Sequence, residues 1–397
     1  MGTTNIGQTK TPSRPVEITF AAELGTPSDA QEILIIGHKA ATGTADNYKV
    51  VTISNAGDKD AASGEVADKF GDGSELAKMV LAAIEANEGG SNFPAIKCVP
   101  LDPADTDFGA SDIALTAAEK TKQEFVVSPY DGNVTVLTDK IIAHAQKLSG
   151  AFRTENNQFG TFAVAANKDE ADPSALFAYD SQFFTGAYLR DAIGADHPRS
   201  LGEIAAMYAA KMAALVVPFV PLDKITITNL EAPSDVDDHI TVGQSLESDT
   251  ILGRGWTPLY VKPNGEVAIV RSVTSRLSVN GTGAPLVTAY YDVQDFMVLY
   301  FWRKTVFTRG SQPDFTNVKA SNEKAKDFRG ELVRLMRLFE TNGMFQAVAQ
   351  LSKQLIVERS SSDRHRFDVK TPVNVVPGLH VIATNVEATT EFDELVL

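Results

Sequence analysis

Residues able to carry chemistry occur throughout this chain, but none stands in the spacing that chemistry requires. A phosphate-cradling loop needs glycines followed by a lysine at the start of a helix. Gly71-Asp72-Gly73-Ser74 opens a helical stretch without that lysine, and Asp72 would repel phosphate. The spacing predicts a tight turn with Ser74 as helix N-cap. Asp102, Asp105, Asp107 and Asp112 in DPADTDFGASD faintly imitate a calcium loop. Neither the glycine of loop position six nor the bidentate glutamate of position twelve is in register, so this reads as a solvated loop. Asp235-Val236-Asp237-Asp238-His239 could approach a metal ion, yet no second His or Glu cluster lies near it in sequence. His38, His144, His197, His239, His365 and His380 are scattered singly and read as packing or surface residues. HExxH, Walker A and GxSxG are absent. The single cysteine, Cys98, excludes an internal disulfide and a cysteine-based zinc cage. No metal and no cofactor is expected.

The elements that would position such residues follow from composition and periodicity. The 397 residues allow two or three domains, and a hydrophobic fraction of 43% suits a globular core. The longest apolar runs, 213–222 and 297–301, fall short of the roughly 18 residues of a membrane span. The opening MGTTNIGQTKTPSRP has no apolar core of a secretory leader, so synthesis in a reducing cytoplasm is expected. The net charge of −15 is uneven. Residues 301–370 hold 14 basic and 8 acidic side chains, and the remainder holds 22 and 43. Overall acidity argues against nucleic-acid binding, while the basic segment could face an acidic partner.

Along the chain, residues 1–14 are polar, and Val16, Ile18 and Phe20 then alternate with Glu17 and Thr19. Such a strand either pairs with its own domain or adds to a neighbour's sheet. Residues 32–37, 48–54 and 95–101 read as strands, with helix over 65–87 interrupted at Gly71 and Gly73. A helix near 110–121, a strand at 125–128, a helix over 137–153 and a strand at 161–166 continue the alternation. It predicts an α/β layered core with a largely parallel sheet. Residues 201–217 predict an internal, alanine-rich helix. Residues 226–274 turn loop-rich and acidic, with strands at 258–261 and 267–273, and polar SVNGTG suggests a domain boundary near 283. Helices follow over 293–308 and 316–341. In the second, Phe328, Leu332, Leu335, Met336 and Phe339 form an apolar stripe that ends at Gly343. Lys326, Arg329, Arg334 and Arg337 form a basic stripe on the same helix.

Residues 355–383 read LIVERSSSDRHRFDVKTPVNVVPGLHVIA. Leu355-Ile356-Val357 runs into Glu358 and Arg359, and a serine-rich turn leads to Arg364, His365 and Arg366. Phe367 and Val369 alternate with Asp368 and Lys370, and a strand at 379–383 follows Pro377-Gly378. This pattern resembles the C-terminal domain of contractile tail sheath proteins of Mu-like phages and related contractile particles. FGDGSELA at 70–77, the alanine-rich helix at 203–214 and residues 265–274 follow the same order, so the resemblance spans most of the chain.

The resemblance implies a mixed α/β (α+β) chain. An N-terminal arm (1–22) would precede a subtilisin-like α/β scaffold domain (23–282), a smaller α+β C-terminal assembly domain (283–386) and a C-terminal arm (387–397). The HGT and GTSMA segments that surround the catalytic His and Ser of subtilisins are missing, so a scaffold without a triad and no enzyme activity is expected. It implies a structural subunit of a contractile sheath, assembled in a bacterial host's cytoplasm as stacked hexameric rings around an inner tail tube. Baseplate and tail terminator proteins would be its further partners, with no direct contact to nucleic acid or membrane. Val16, Ile18 and Phe20 of one arm and Phe392 and Leu395 of the other would complete neighbours' sheets with Phe367, Val369 and Val381. Lys326, Arg329, Arg334 and Arg337 would face the tube. A non-contractile shell or surface-layer subunit would share the arms but need no tube-facing helix. A degenerate subtilisin-like hydrolase would need a triad.

Overall fold

A computed structural model of the chain describes residues 31–88, 90, 92–149, 160–168, 173–189, 197–215, 222–233, 246–276, 291–310, 312, 321–359, 361 and 367–377. Both proposed arms, the 379–383 strand, the 235–239 cluster and the boundary near 283 lie outside the described residues.

The core begins with β1 (Glu32–His38), whose interior is buried on both sides. Ile33 and Ile35 enter one apolar cluster while Leu34 and Ile36 enter another, because successive strand side chains point to opposite faces. Strand β1 lies between β3 (Ala95–Leu101) and β4 (Phe125–Asp131), parallel to both. Strands β5 (Phe162–Asn167), β6 (Phe184–Tyr188) and β7 (Trp256–Val261) extend the parallel run beyond β4. Antiparallel β2 (Val51–Thr52) and β8 (Val267–Ile269) close its two ends. The order is β2-β3-β1-β4-β5-β6-β7-β8. Strands apolar on both faces need helices on both faces. Helices α1 (Lys59–Phe70), α2 (Glu75–Ala86) and α5 (Leu201–Ala213) cover one side. Helices α3 (Ile113–Ala118), α4 (Thr135–Leu148) and α6 (Leu246–Gly253) cover the other.

The alanine-rich α5 is internal, as expected, with all but two of its residues buried. Small side chains admit close neighbours: a Cβ on Gly202 would meet Met79 Sδ at 2.8 Å. The turn before α2 has the predicted form. Ser74 accepts the Ala77 amide, and Gly71 (φ +84°) has no room for a Cβ, which would lie 2.6 Å from that of Ala40. Two expectations required correction. Residues 226–274 contain helix α6, and the strand expected over 267–273 ends at Ile269. Strand β6 was not predicted, since Phe-Thr-Gly-Ala-Tyr reads as an irregular segment by itself. Gly186 sits at its centre because the Trp256 ring fills the space a Cβ would take, 2.3 Å away.

Beyond the sheet, α7 (Val293–Gly310) reaches from one core into another. Val293, Phe296 and Met297 join the sheet's cluster, while Val298 and Trp302 join a separate one. That second cluster is built on α8 (Asn322–Thr341), with the short α9 (Val348–Leu351) and Leu355. All five residues of the predicted stripe, from Phe328 to Phe339, are buried in it. Gly343, at φ +74°, follows the helix end as expected. The last elements, β9 (Ile356–Arg359) and β10 (Phe367–Lys370), form a separate two-stranded antiparallel sheet.

Inside the main core, the fully buried Tyr208 hydroxyl lies 2.9 Å from Thr185 Oγ1, 2.9 Å from Thr257 Oγ1 and 2.8 Å from Ser272 Oγ. This knot ties α5 to β6, β7 and the segment after β8. Replacing Tyr208 with Phe strips three buried hydroxyls of a partner, and the stability measured by urea unfolding should fall by about 1–3 kcal/mol.

Candidate assembly surface

Sheet edges are the natural places for one chain to add to another, and the large sheet has little to offer. Outside β8, Lys224 N–H donates to Ile269 O at 2.7 Å and Ile227 N–H to Val267 O at 2.9 Å, while Ile269 N–H reaches Ile225 O at 3.1 Å. At the other end, Tyr48 N–H and Ile53 N–H bond Pro100 O and Ile96 O beside the two-residue β2. Short or covered edges resist strand addition.

The β9–β10 sheet differs. Among the described residues it has two strands only, paired Phe367–Arg359, Asp368–Glu358, Val369–Val357 and Lys370–Ile356. A pair of this size needs support from elsewhere. Leu355 supplies part of it from the second core, and Val357 packs against that cluster. Phe367 is half-buried, whereas Val369 and Ile356 are exposed, Ile356 by 46%. Of the residues proposed for strand exchange, the structure therefore describes Phe367 and Val369; Val16, Ile18, Phe20, Val381, Phe392 and Leu395 lie outside the described residues.

Helix α8 carries the basic residues, and they divide by environment. Lys326, Arg334 and Arg337 are exposed. Arg334 bonds Glu331, one turn back, through Nε (3.1 Å) and Nη2 (2.9 Å). Glu331 also receives Arg309 Nε at 2.8 Å. The hydrogen bond from Arg334 is the main cause that holds the Glu331 carboxyl below its usual range. Arg329 is turned inward instead. Its Nε donates to Leu355 O at 3.0 Å and its Nη2 to Ser352 O at 2.9 Å, fastening the segment that leads into β9. Sequence spacing put Arg329 in the outward stripe; only the position of residues 352–355 shows this clamp. Arg329→Met should leave Leu355 O without this donor and Ser352 O with only the Leu355 amide, and lower stability by about 1.5–3 kcal/mol. Hydrogen exchange should quicken at Ile356–Arg359 and leave β1 unchanged.

Groups with catalytic potential are bound up in structural networks. His38, at the end of β1, donates from Nδ1 to Glu75 and from Nε2 to Asp105 O at 3.0 Å. Tyr130 O–H donates to Asp107 O at 2.5 Å, Tyr48 O–H to Asp105, and Lys140 bridges Asp112 (2.8 Å) and Asp107 (3.4 Å). The DPADTDFGASD segment is thus a fastened loop seated on buried Phe108, not the solvated one expected. A cleft of about 680 Å³ lies elsewhere, lined by Asp58, Lys59, Glu85, Glu88, Arg199 and Glu231 among others. Several of its charges are paired: Arg199 joins Glu85, Glu203 and Glu231, and Lys59 joins Glu85. His144 and His197 are buried, and His197 Nε2 bonds Glu231 O. No group of three or more His, Cys, Asp or Glu among the described residues could hold a metal ion.

Glu75 raises the His38 pKa above its ordinary 6.5, chiefly through their hydrogen bond, against the opposing effect of burial. A raised folded-state pKa stabilises fully below the unfolded value and is lost as pH rises through the folded one. The melting temperature should therefore fall as pH rises above 6.5, and His38→Gln should flatten that part of the profile.

A scan against known protein families finds no match, and no curated protein matches the sequence. Solved structures do. The chain is similar to the sheath tail protein of Listeria innocua, with a TM-score of 0.59 and 10% identity over 90% of this chain and 96% of that one. It is also similar to the helical sheath of the anti-feeding prophage in its contracted state (0.58, 14% identity, 96% and 99% covered). A third neighbour is the sheath of an extracellular contractile injection system, PVC, in the contracted state (0.56, 12%, 91% and 92%). The chain therefore has the fold of contractile sheath proteins, over nine tenths of its length.

Proposed function

We propose that this chain is a structural subunit of a contractile tail sheath, which polymerises helically around an inner tail tube and contracts to drive the tube through a host envelope. The observation that carries this reading is the fold shared with sheaths across nine tenths or more of both chains. In this reading residues 23–282 form a subtilisin-like scaffold without a triad, and 283–386 form the assembly domain. The arms, 1–22 and 387–397, add strands to the β9–β10 sheets of neighbouring copies in stacked hexameric rings. The open β9–β10 sheet supports that role, as do the covered edges of the large sheet. Main-chain hydrogen bonds keep strands paired while subunits rotate.

Contraction is then a rigid-body rearrangement from a metastable extended lattice to one that buries more surface. Lys326, Arg334 and Arg337 face the tube, and Arg329 positions the hairpin behind them. Salt-sensitive pairing of exposed charges is weak enough to release. Baseplate and terminator proteins cap the two ends. The assembly is the tail of a phage or phage-like particle, built in the bacterial cytoplasm.

Negative-stain electron microscopy of the full chain, across concentration and salt, tests the reading. Hollow cylinders of uniform width are expected; flat sheets, closed shells or persistently dispersed particles would refute it. Reversing Lys326 and Arg337 to Glu, with Arg334 left on Glu331, should leave the melting temperature within about 2 °C, since exposed charges contribute little, and abolish assembly around the tube. Normal assembly with these reversals would remove the tube-facing assignment.

A further inference from the structure

The carboxyl ends of three parallel strands meet at a cluster of polar side chains. His38 ends β1, the 102–112 loop leaves β3, Tyr130 stands near the end of β4, and Glu75 opens α2. The His38 side chain lies between these elements and is 21% exposed. Its Nδ1 meets the Glu75 carboxylate and its Nε2 meets Asp105 O at 3.0 Å. Glu75 Oε2 also accepts the His38 backbone N–H at 3.2 Å, which holds that carboxylate in place whatever the charge of the ring.

These partners fix the charge of the ring. A carboxylate and a main-chain carbonyl both accept hydrogen bonds, so both ring nitrogens must carry protons. A neutral imidazole has one N–H. Kept on Nδ1, it leaves the Nε2 lone pair facing Asp105 O; kept on Nε2, it leaves the Nδ1 lone pair facing Glu75. The charge-assisted bond to Glu75 is the stronger, so the Asp105 contact is given up. Tyr130 Oη lies 3.3 Å from Nε2 and could turn its proton there, but that proton is held by Asp107 O at 2.5 Å. Either way a carbonyl of the loop loses its donor. Among the described residues, neither Asp105 O nor Asp107 O accepts another hydrogen bond.

The other groups around His38 keep their protonation near neutrality. The Tyr48 hydroxyl bonds the Asp105 carboxylate, which chiefly pushes its pKa up to about 12. Burial pushes Tyr130 up as well. Lys140, reaching Asp112 and Asp107 from α4, is raised chiefly by its bond to Asp112. Lys39 is turned to Gly43 O and Ala45 O, at 3.0 and 2.7 Å. Buried Phe108 anchors the middle of the loop, so a change at His38 acts on residues 102–107, where Pro103, Ala104 and Thr106 are exposed.

We propose that His38 is a proton-operated latch: its imidazolium pins residues 102–107 to the end of β1, and loss of the proton lets that surface segment open. The hydrogen bond to Glu75 raises the His38 pKa above 6.5, against burial, with the Asp105 carbonyl and carboxylate adding to the rise. The latch is therefore closed below pH 6.5 and is released as pH rises through the folded-state value. It stands on contacts within one subunit and is independent of the sheath reading.

The test follows the dilute full chain between about pH 5.5 and 9. Selective ¹⁵N-histidine labelling reports the charge of the His38 ring, its signal assigned by loss in His38→Gln. Hydrogen exchange, corrected for the intrinsic effect of pH, compares residues 102–107 with β3. Protection of 102–107 should fall about tenfold with the midpoint of the ring's titration, while β3 is unchanged. His38→Gln should abolish the step, and Glu75→Gln should move both midpoints down together by about one unit. That second variant keeps the test decisive where the wild-type ring holds its proton to the top of the range. A ring that titrates while 102–107 stays equally protected would overturn the latch. So would a step that persists in His38→Gln, a ring already neutral at the acid end, or a ring that titrates in neither chain.

Discussion

Every backbone N–H and C=O at the margin of a sheet must be paired, hydrated or offered to another chain, and this requirement governs the organisation of the molecule. The six parallel strands satisfy it internally. Residues 224–227 cover β8, and the two-residue β2 with its flanks covers β3. The β9–β10 sheet, with two strands among the described residues, is too short to stand alone and is held in place by the second core. A long free edge on the large sheet would pair indiscriminately with other chains.

Holding that small sheet in a defined position is a problem of mechanical continuity. Helix α7 is shared between the two apolar clusters, so the packing that fixes its first half also orients its second. Helix α8 fills the second core with its stripe, and the Arg329 guanidinium ties the approach to β9 to that helix. Main-chain carbonyls are suitable partners for such a clamp, since their positions depend on the chain path and not on a rotamer. Deep in the first core, the Tyr208 hydroxyl knot plays a comparable part, joining a helix to two strands and the segment after β8 with hydrogen bonds that solvent cannot replace.

Charge and apolar exposure complete the arrangement. The sequence is basic over residues 301–370 and acidic outside them. Potentially reactive groups are absorbed into the scaffold: His38, Tyr48, Tyr130 and Lys140 fasten the 102–112 loop, and Arg199 with Lys59 neutralises much of the carboxylate in the cleft. The fold that these groups fasten is shared with sheath proteins from several particles.

Much of the fold was legible in the sequence because its signals are local or periodic. Glu32–His38 announces a two-sided buried strand by its apolar run, Ser74 and the glycines before it announce a helix start, and Phe328 to Phe339 announce a packed face at helical spacing. The resemblance of residues 355–383 to sheath proteins was equally a matter of order along the chain. Strand β6 was not legible, since Gly186 belongs to a strand only because the Trp256 ring occupies its Cβ space. The basic stripe gave no sign that Arg329 turns inward, because its carbonyl partners lie 23 and 26 residues away. Nor could alternation or composition show that Val134 and Val136 are exposed at the start of α4. Short-range periodicity determined which segments became strands and helices. Contacts between residues distant in sequence decided which polar groups were consumed inside the molecule and which side chains stayed exposed.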